Sequence, residues 1–219
     1  MIKVKHWDKD MMISLNNILE KYPKGGKVLD VGAGDGESKK LFPSNWEWHG
    51  IDFSPWNSNV KKGDAHNLQF PDDSFDLVIS IAVFEHLHGP WIAAQEIKRV
   101  LKKKGYFLGM VAFLEPEHGN SYFHMTRRGI QHILNQAKFK IDFIEPVSGW
   151  KAPVSLKILP LPGFRILSRM RTFFLFTLRS LLINIKIFFT TGIAKERALK
   201  FKAEEAYRFS GSFMFLASK

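Results

Sequence analysis

Cysteine is absent from the 219 residues of the chain, which excludes disulfides and thiolate metal sites. An apolar run behind the first basic residues, MIKVKHWDKD, is also missing, so we expect no secretory signal and a cytoplasmic location. The sequence shows neither an internal repeat nor a low-complexity tract. Its length suits one α/β domain with a full core and little more.

Positive charge is plentiful but unevenly placed. The net charge is +11. Residues 151–219 hold 13 Lys and Arg against 3 Asp and Glu, whereas residues 1–150 hold 19 against 18. This concentration indicates that the last third of the chain has its own partner or its own environment.

A glycine-rich turn follows the first apolar segment, Val28–Val31. Gly32, Gly34 and Gly36 stand at alternate positions, and glycine lets a ligand approach backbone that Cβ atoms would otherwise shield. A dinucleotide-binding turn has the spacing G-x-G-x-x-G, which would put its third glycine at Glu37. The turn therefore predicts a nucleotide-type ligand but departs from the NAD pattern.

Two later segments separate the ligand classes. The segment Trp48–Ser54 contains Asp52, 20 residues after Gly32, where an acid accepts hydrogen bonds from ribose in both NAD and S-adenosylmethionine (SAM) sites. The block Gly63-Asp64-Ala65, followed by Leu68–Ser80, has no counterpart in the NAD pattern. Together these segments favour SAM.

The combination of motifs resembles class I SAM-dependent methyltransferases of the ubiquinone-biosynthesis-like, or type 11, group. The matching segments are VLDVGAGDG, GIDFSP, GDAHNLQFPDDSFDLVIS, FEHL and EIKRVLKKKGYF, which cover roughly residues 26–145, and a last strand matches at the C-terminus. The resemblance implies a Rossmann-like, doubly wound, seven-stranded α/β sheet. Its expected strand order is 3-2-1-4-5-7-6, with strand 7 antiparallel and a helical insertion between strands 6 and 7.

Hydrophobic periodicity places most elements. Helices are predicted at 8–22, Glu37–Leu41, Trp91–Leu101 and Thr126–Ala137. Strands are predicted at Lys27–Val31, Trp48–Asp52, Phe75–Ser80, Tyr106–Phe113, Lys140–Glu145 and Gly211–Ser218. In the third helix Ile92, Ala93, Ile97 and either Val100 or Leu101 should face inward, with Lys102–Gly105 capping its end. We expect one domain over 1–219, made of a SAM-binding core (1–145), a basic amphipathic helical insertion (146–205) and the final strand (206–219).

The resemblance implies a set of cofactor contacts at matching positions. Asp30 would hold the loop amides, Asp52 would take the ribose hydroxyls, and Asp64 would accept from the adenine amino group. The full cofactor set is Asp30, Gly32, Ala33, Gly34, Asp52, Phe53, Asp64, Ala65, Ser80 and Ile81.

Catalysis does not require any one residue, because SAM brings an activated methyl group and the protein mainly positions the acceptor. A base is needed only where the acceptor must lose a proton. The candidates for the acceptor pocket are His86, His118, Tyr122 and His124. His124 stands where the family pattern has Arg, and the alternative for the Tyr122–Thr126 segment is a helix cap with aromatics packed beneath it.

Several other chemistries are disfavoured. No metal site is predicted, because cysteine is absent and no Asp–Asp–Asn set of the catechol type stands out. Ser80-Ile81-Ala82-Val83 replaces the Asn-Pro-Pro-Tyr type of motif, which disfavours N-methylation of DNA or glutamine.

The insertion contains an apolar, basic stretch at Arg171–Thr191. Three interpretations stay open: a lid over the acceptor site, a helix lying on an anionic membrane surface through 165–202, and a membrane-spanning helix. The third is disfavoured, because Arg179 and Lys186 would each cost roughly 2.5–3.5 kcal/mol at mid-bilayer.

The sequence thus predicts a cytoplasmic enzyme that uses SAM to methylate a small molecule, with lipid-linked and saccharide-related acceptors both open and a peripheral membrane association. An RNA methyltransferase is the first alternative, although the interleaved Phe, Leu and Ile favour membrane over nucleic acid. A SAM-binding protein without catalysis is the second alternative.

Overall fold

The computed structural model describes residues 7, 9–115, 118–147, 174, 178, 181–185, 187–189, 191–208 and 210–219. The described α-helices are α1 (Lys9–Leu19), α2 (Pro90–Val100), α3 (Arg127–Gln136) and α4 (Gly192–Arg208), and the 3-10 helices are Glu37–Leu41 and Phe84–His86. The strands are β1 (Lys27–Val31), β2 (Glu47–Asp52), β3 (Val60–Lys62), β4 (Phe75–Ile81), β5 (Leu101–Ala112), β6 (Lys140–Pro146) and β7 (Ser212–Ser218).

The strands form one seven-stranded sheet in the order β3-β2-β1-β4-β5-β7-β6. Strands β1 to β5 pair in parallel, and β7 runs antiparallel to both β5 and β6. The predicted fold class is therefore confirmed in its sheet order and in the direction of the last strand. Asp30 pairs with Gly50 of β2 and Ile79 of β4, so the carboxyl ends of the three central strands meet at one edge.

Both faces of the sheet are covered, as the almost continuous burial of β1 and β4 requires. On one face Leu29 and Val78 pack in a cluster with residues of α2 and α3. On the other face Val28 and Leu77 pack against Leu15 and Ile18 of α1. Alternation along each strand thus divides the core into two layers.

Two expectations about α2 are wrong. Its buried side chains are Pro90, Ala93, Ala94, Ile97 and Val100, whereas Ile92 is 39% exposed. The inward stripe follows the i, i+3, i+4, i+7 spacing from Pro90, which leaves Ile92 off that face.

The segment Lys102–Gly105 does not cap α2 either. The helix ends at Val100, and the extended Leu101 already begins β5. The pairing of β5 with β4 passes from Phe75↔Leu101 to Leu77↔Tyr106, so Lys102–Gly105 form an irregularity in the strand, where Lys104 has φ +66°.

The predicted helix at Glu37–Leu41 is a single 3-10 helix. Gly36 precedes it with φ +73°, and the Asp35 carboxylate accepts the Glu37 amide at 3.0 Å. This short helix keeps the glycine turn close to the strand ends.

Much of the predicted insertion at 146–205 lies outside the described residues, so its helical lid or membrane role stays a prediction. Within the described part of the chain, no helix combines the length and apolarity needed to cross a bilayer.

Candidate active site

The glycine turn after β1 is fastened to the end of β2. The amides of Gly32 and Ala33 both donate to the Ile51 carbonyl at 2.9 Å. The Asp52 carboxylate accepts the Gly34 amide through Oδ2 and the Ser54 amide through Oδ1, each at 2.9 Å. Asp52 therefore fixes the turn, and the unused lone pairs of its two oxygens can still accept from a ligand.

Gly32 and Gly34 are glycines for different reasons. Both have positive φ, +79° and +55°. A Cβ on Gly32 would stand 2.2 Å from Cγ2 of Val83, whereas a Cβ on Gly34 would meet no atom within 4 Å. At position 32 a side chain would collide with Val83. At position 34 the missing side chain leaves a space open beside the turn.

That open space is a cavity of about 300 Å³ at the carboxyl ends of β1 and β4. The lining contains six residues that the sequence predicted: Asp30, Gly32, Ala33, Gly34, Ile81 and His86. It also contains six that the sequence missed: Trp7, Asp35, Glu37, Ser38, Trp56 and Ala82. A cleft at this edge of a doubly wound sheet is the usual position of a ligand site.

Asp30 forms part of the cavity wall, and its side chain is almost fully buried. Its Oδ2 accepts a hydrogen bond from the Ser38 hydroxyl, and Ser38 in turn accepts from the Trp48 indole at 3.2 Å. Burial raises the pKa of Asp30 to about 7, with Asp52 and Asp35 adding to the rise and Ser38 opposing it. The amide of Gly34 is held by Asp52, so the described contact of Asp30 is with Ser38 rather than with the loop amides that we expected it to hold.

Aromatic rings stand exposed beside Asp52. Phe53 is 71% exposed and Trp56 is 73% exposed, and the Trp56 amide donates to the Gly34 carbonyl at 3.3 Å. Trp56 lines the cavity, whereas Phe53 is not among the lining residues. An exposed ring in a cavity wall offers a stacking surface for a planar ligand.

Asp64 follows β3 and is positioned by His66. Its Oδ1 accepts from the His66 amide at 2.9 Å and lies 2.7 Å from Nδ1 of the ring, contacts that lower the pKa of Asp64. Nε2 of His66 accepts the Gly89 amide, so the ring carries its proton on Nδ1. Ala65 is buried and belongs to the same core cluster as Ile51 of β2.

The four predicted acceptor residues gather around the 3-10 helix Phe84–His86. The ring of His86 lies 5.3 Å from that of His118, which lies 5.6 Å from that of His124. The Tyr122 amide donates to the Glu85 carbonyl at 2.7 Å, and the Tyr122 side chain is exposed. Burial, with His118 and His124 nearby, lowers the pKa of His86, so its imidazole is neutral and can accept a proton near pH 7.

The comparisons with known proteins agree with this geometry. Residues 29–109 match the family model described as a methyltransferase domain, which covers the glycine turn, Asp52, Asp64 and β4. Over residues 29–109 the chain is therefore similar to methyltransferase domains.

Curated relatives of the methyltransferase domain differ in acceptor. A 2-methyl-6-phytyl-1,4-hydroquinone methyltransferase of Synechocystis is 34% identical over 104 residues, 40% of this chain and 32% of that protein. A phosphatidylethanolamine N-methyltransferase of Cereibacter sphaeroides is 31% identical over 98 residues, 37% and 48% of the two chains. A tRNA (carboxymethyluridine(34)-5-O)-methyltransferase of Arabidopsis thaliana is 34% identical over 110 residues, 45% and 27%. The chain spans about half or less of the length of these relatives.

Solved structures share the fold of the methyltransferase domain over nearly the whole chain. A putative methyltransferase from Bacillus halodurans has a TM-score of 0.54 at 17% identity, covering 94% of this chain and 99% of that one. The [4+2]-cyclase SpnF has a TM-score of 0.57 at 19% identity, covering 95% and 80%. At these identities the likeness shows the fold alone.

The residues around the cavity fit SAM. A Cβ on Gly34 would enter its open space, the Asp52 carboxylate holds the Gly34 amide, and the exposed Trp56 is one of the lining residues. The buried Ser80 hydroxyl, predicted to face the sulfonium end, has no hydrogen-bond partner among the described residues. The missed residue Trp56 follows the GIDFSP motif directly, a signal that could have found it, whereas Trp7 reaches the cavity from outside every motif.

Proposed function

We propose that the protein is a SAM-dependent methyltransferase whose cofactor lies in the cavity beside the glycine turn. The observation that carries the proposal is the glycine turn itself. Gly34 leaves an open space where a side chain would stand, and the Asp52 carboxylate holds the Gly34 amide in place. Bound SAM would supply the activated methyl group on its sulfonium.

The chain's own residues would then bind and orient. Asp52 accepts hydrogen bonds from the ribose hydroxyls while it keeps the Gly34 amide, and Asp64 accepts from the adenine amino group. Phe53 and Trp56 cover the adenine. Ser80 and Ile81, at the end of β4, border the sulfonium end of the site. The neutral His86 accepts a proton where the acceptor must lose one.

The acceptor is a small molecule. His86 lines the cavity, and the rings of His118 and His124 follow it at 5.3 and 5.6 Å from one ring to the next. These imidazoles, with the phenol of Tyr122, suit an acceptor with hydroxyl groups. Relatives named for a quinol and a phospholipid support a lipid-linked acceptor, and a saccharide-related one fits the same groups.

The direct test is a transfer assay with methyl-tritiated SAM and separate lipid, saccharide and RNA extracts. We expect label in a lipid or saccharide fraction and, at a SAM concentration near the wild-type dissociation constant, at least about tenfold less label with Asp52→Ala. The matched control is Asp142→Ala, which removes an exposed carboxylate on β6. SAM binding without transfer to any fraction would favour the non-catalytic alternative.

A second part of the proposal places the enzyme at the cytoplasmic face of an anionic membrane. The described residues between 174 and 189 expose large apolar side chains, led by Phe188 at 80% and Phe189 at 77%. They lie in the third of the chain that holds 13 basic and 3 acidic residues. Exposed apolar side chains among cations match an interfacial surface, where apolar groups enter the headgroup boundary and cations meet anionic lipid.

Sedimentation with phosphatidylcholine vesicles, with and without phosphatidylglycerol, tests this part. We expect binding that requires the anionic lipid and that Phe188→Ser combined with Phe189→Ser weakens about tenfold or more. Ile13→Ser, an exposed apolar position on α1, is the control. Equal sedimentation of the double variant and the wild type would refute the membrane surface.

RNA is the alternative binding partner of the basic last third of the chain. It is tested as well, because one relative is named as a tRNA methyltransferase. Filter binding across a salt series distinguishes the two, because phosphate contacts make the affinity for RNA fall steeply with salt. A steep slope together with label in the RNA fraction would replace the membrane proposal.

A further inference from the structure

Three ligand-type side chains come together beyond β4. Glu85 and His86 belong to the 3-10 helix Phe84–His86, and His118 approaches from the loop after β5. One ligand atom of each side chain lies within 4.8 Å of the other two. The Glu85 carbonyl accepts the amides of Tyr122 at 2.7 Å and Phe123 at 3.1 Å, so backbone hydrogen bonds hold this loop against the helix.

The carboxylate of Glu85 is the unusual member of this cluster. The residue is 0% exposed, and within the described part of the chain neither carboxylate oxygen has a hydrogen-bond partner of normal geometry. The amides of Glu85 and Ala112 lie close enough to favour its charge weakly, while burial and Glu115 oppose it. A buried carboxyl without a partner is costly, and such groups in proteins are usually paired or bound to a cation.

A second acidic side chain lies near Glu85. Glu115, the second carboxylate nearby, accepts the Ser212 hydroxyl at 2.6 Å and lies 4.0 Å from Nδ1 of His118. The cluster thus contains two carboxylates whose near neighbours are imidazoles. Imidazoles bind a metal through a neutral nitrogen.

We propose that Glu85, His86 and His118 form a binding site for a divalent metal ion of the zinc type. Two imidazole nitrogens and one carboxylate oxygen suit zinc and related transition ions better than magnesium, which prefers oxygen ligands. Zinc binds such atoms at about 2.0–2.2 Å, which sets the ligand atoms roughly 3.3 Å apart. The observed spacing therefore needs side-chain movements of only about 1 Å.

Three protein ligands leave a position free for another molecule, as in catalytic zinc sites. His86 belongs both to this cluster and to the cavity wall, so the free position lies beside the predicted SAM site. There the ion would bind and polarise an oxygen of the methyl acceptor, and in the metal-bound protein this would take the place of proton acceptance by His86. This last step rests on the proposed function, whereas the metal site itself does not.

Sequence reasoning did not predict a metal here. Glu85 and His86 are adjacent in the chain, but His118 is 32 positions further on, and only the fold brings it to them. The calcium- and zinc-type spacings that sequence motifs detect do not include this arrangement.

The test is a titration of the chelator-stripped full chain with Zn²⁺ alone, followed by calorimetry, and with Co²⁺, followed by its visible spectrum. We expect one ion per chain and a cobalt spectrum of nitrogen and oxygen ligation. Glu85→Gln, which keeps the shape of the buried side chain, and His118→Ala, at an exposed position, should each weaken binding at least about tenfold. His132→Ala, an exposed histidine on α3, is the control and should bind as the wild type does.

Absence of stoichiometric zinc binding would overturn the proposal, as would binding that both variants leave unchanged. Preference for Mg²⁺ over Zn²⁺ would contradict the assigned ligand chemistry. Thermal unfolding of both variants checks that each keeps the fold. If Glu85→Gln does not fold, zinc binding by His118→Ala tests the proposal on its own. A parallel SAM titration of the wild type, with and without zinc, tests the proposed function separately.

Discussion

Asp30 gives the site a pH dependence that can be worked out from the structure. Its carboxyl is 4% exposed, and its pKa is about 7 in the fold against 3.8 for an unperturbed Asp. The folded state therefore holds this proton more tightly than the unfolded state does. Stability consequently falls as the pH rises from about 4 to about 7 and stays low above that range.

The size of the effect follows from the shift. Each pKa unit corresponds to 1.36 kcal/mol, so a shift of about 3 units costs about 4 kcal/mol of folding free energy once Asp30 is ionised. Between pH 5 and pH 8 the same relation gives a loss of about 2.5 kcal/mol. Asp30→Asn removes this term and keeps an oxygen that can accept the Ser38 hydroxyl.

Urea unfolding of wild type and Asp30→Asn at pH 5 and pH 8 measures the difference directly. We expect the advantage of the variant to grow by about 2.5 kcal/mol over that range, because all other titrating groups are common to both chains. Asp142→Asn on β6 is the control and should track the wild type. Parallel stability curves for wild type and Asp30→Asn would refute the reasoning.

Four further predictions concern the same edge of the sheet. Gly32→Ala should destabilise the fold by roughly 2–4 kcal/mol in urea unfolding, since its Cβ meets Val83 at positive φ. Gly34→Ala should lower the free energy of unfolding by only about 1–2 kcal/mol but abolish SAM binding. Equal effects of the two variants on SAM binding would contradict the proposal that SAM occupies the open space at Gly34. Ser38→Ala should raise the pKa of Asp30 further, seen as a higher midpoint in the pH-stability curve. At pH 7 the binding of cationic SAM beside Asp30 should release up to about half a proton, so the binding enthalpy should differ between phosphate and Tris buffers.

Motifs that are local in sequence predicted the sheet well. β1 has the predicted bounds, and β2, β4 and β6 differ by one residue at an end, because each is a short apolar run between turn residues. Thr126 caps α3 through the Gly129 amide, so the helix-cap alternative for that segment is present in the fold. β3 was not located, since Val60–Lys62 is too short to show a pattern.

The sequence predictions are wrong where contacts with neighbouring elements determine the local structure. Lys102–Gly105 carries the residue types of a helix end, but β5 pairs with β4 from Leu101 onward. Ile92 fits a helical apolar pattern and yet lies off the stripe that faces the sheet.

The lining of the cavity is likewise only partly predictable from local sequence. Its glycine turn follows from the sequence, whereas Trp7 and Ser38 join it only through packing of α1 and the 3-10 helix. The carboxyl of Asp30 has its pKa near 7 because of burial, which no motif reports.

Calorimetric titration of SAM into the wild type and Asp52→Ala tests the central claim most directly. The account predicts one SAM per chain for the wild type. It predicts an affinity about 10- to 100-fold weaker for the variant, which loses charged hydrogen bonds to the ribose and the anchor of the Gly34 amide. Asp142→Ala should bind as the wild type does. Equal affinity of Asp52→Ala and wild type, or no binding to either, would contradict the account.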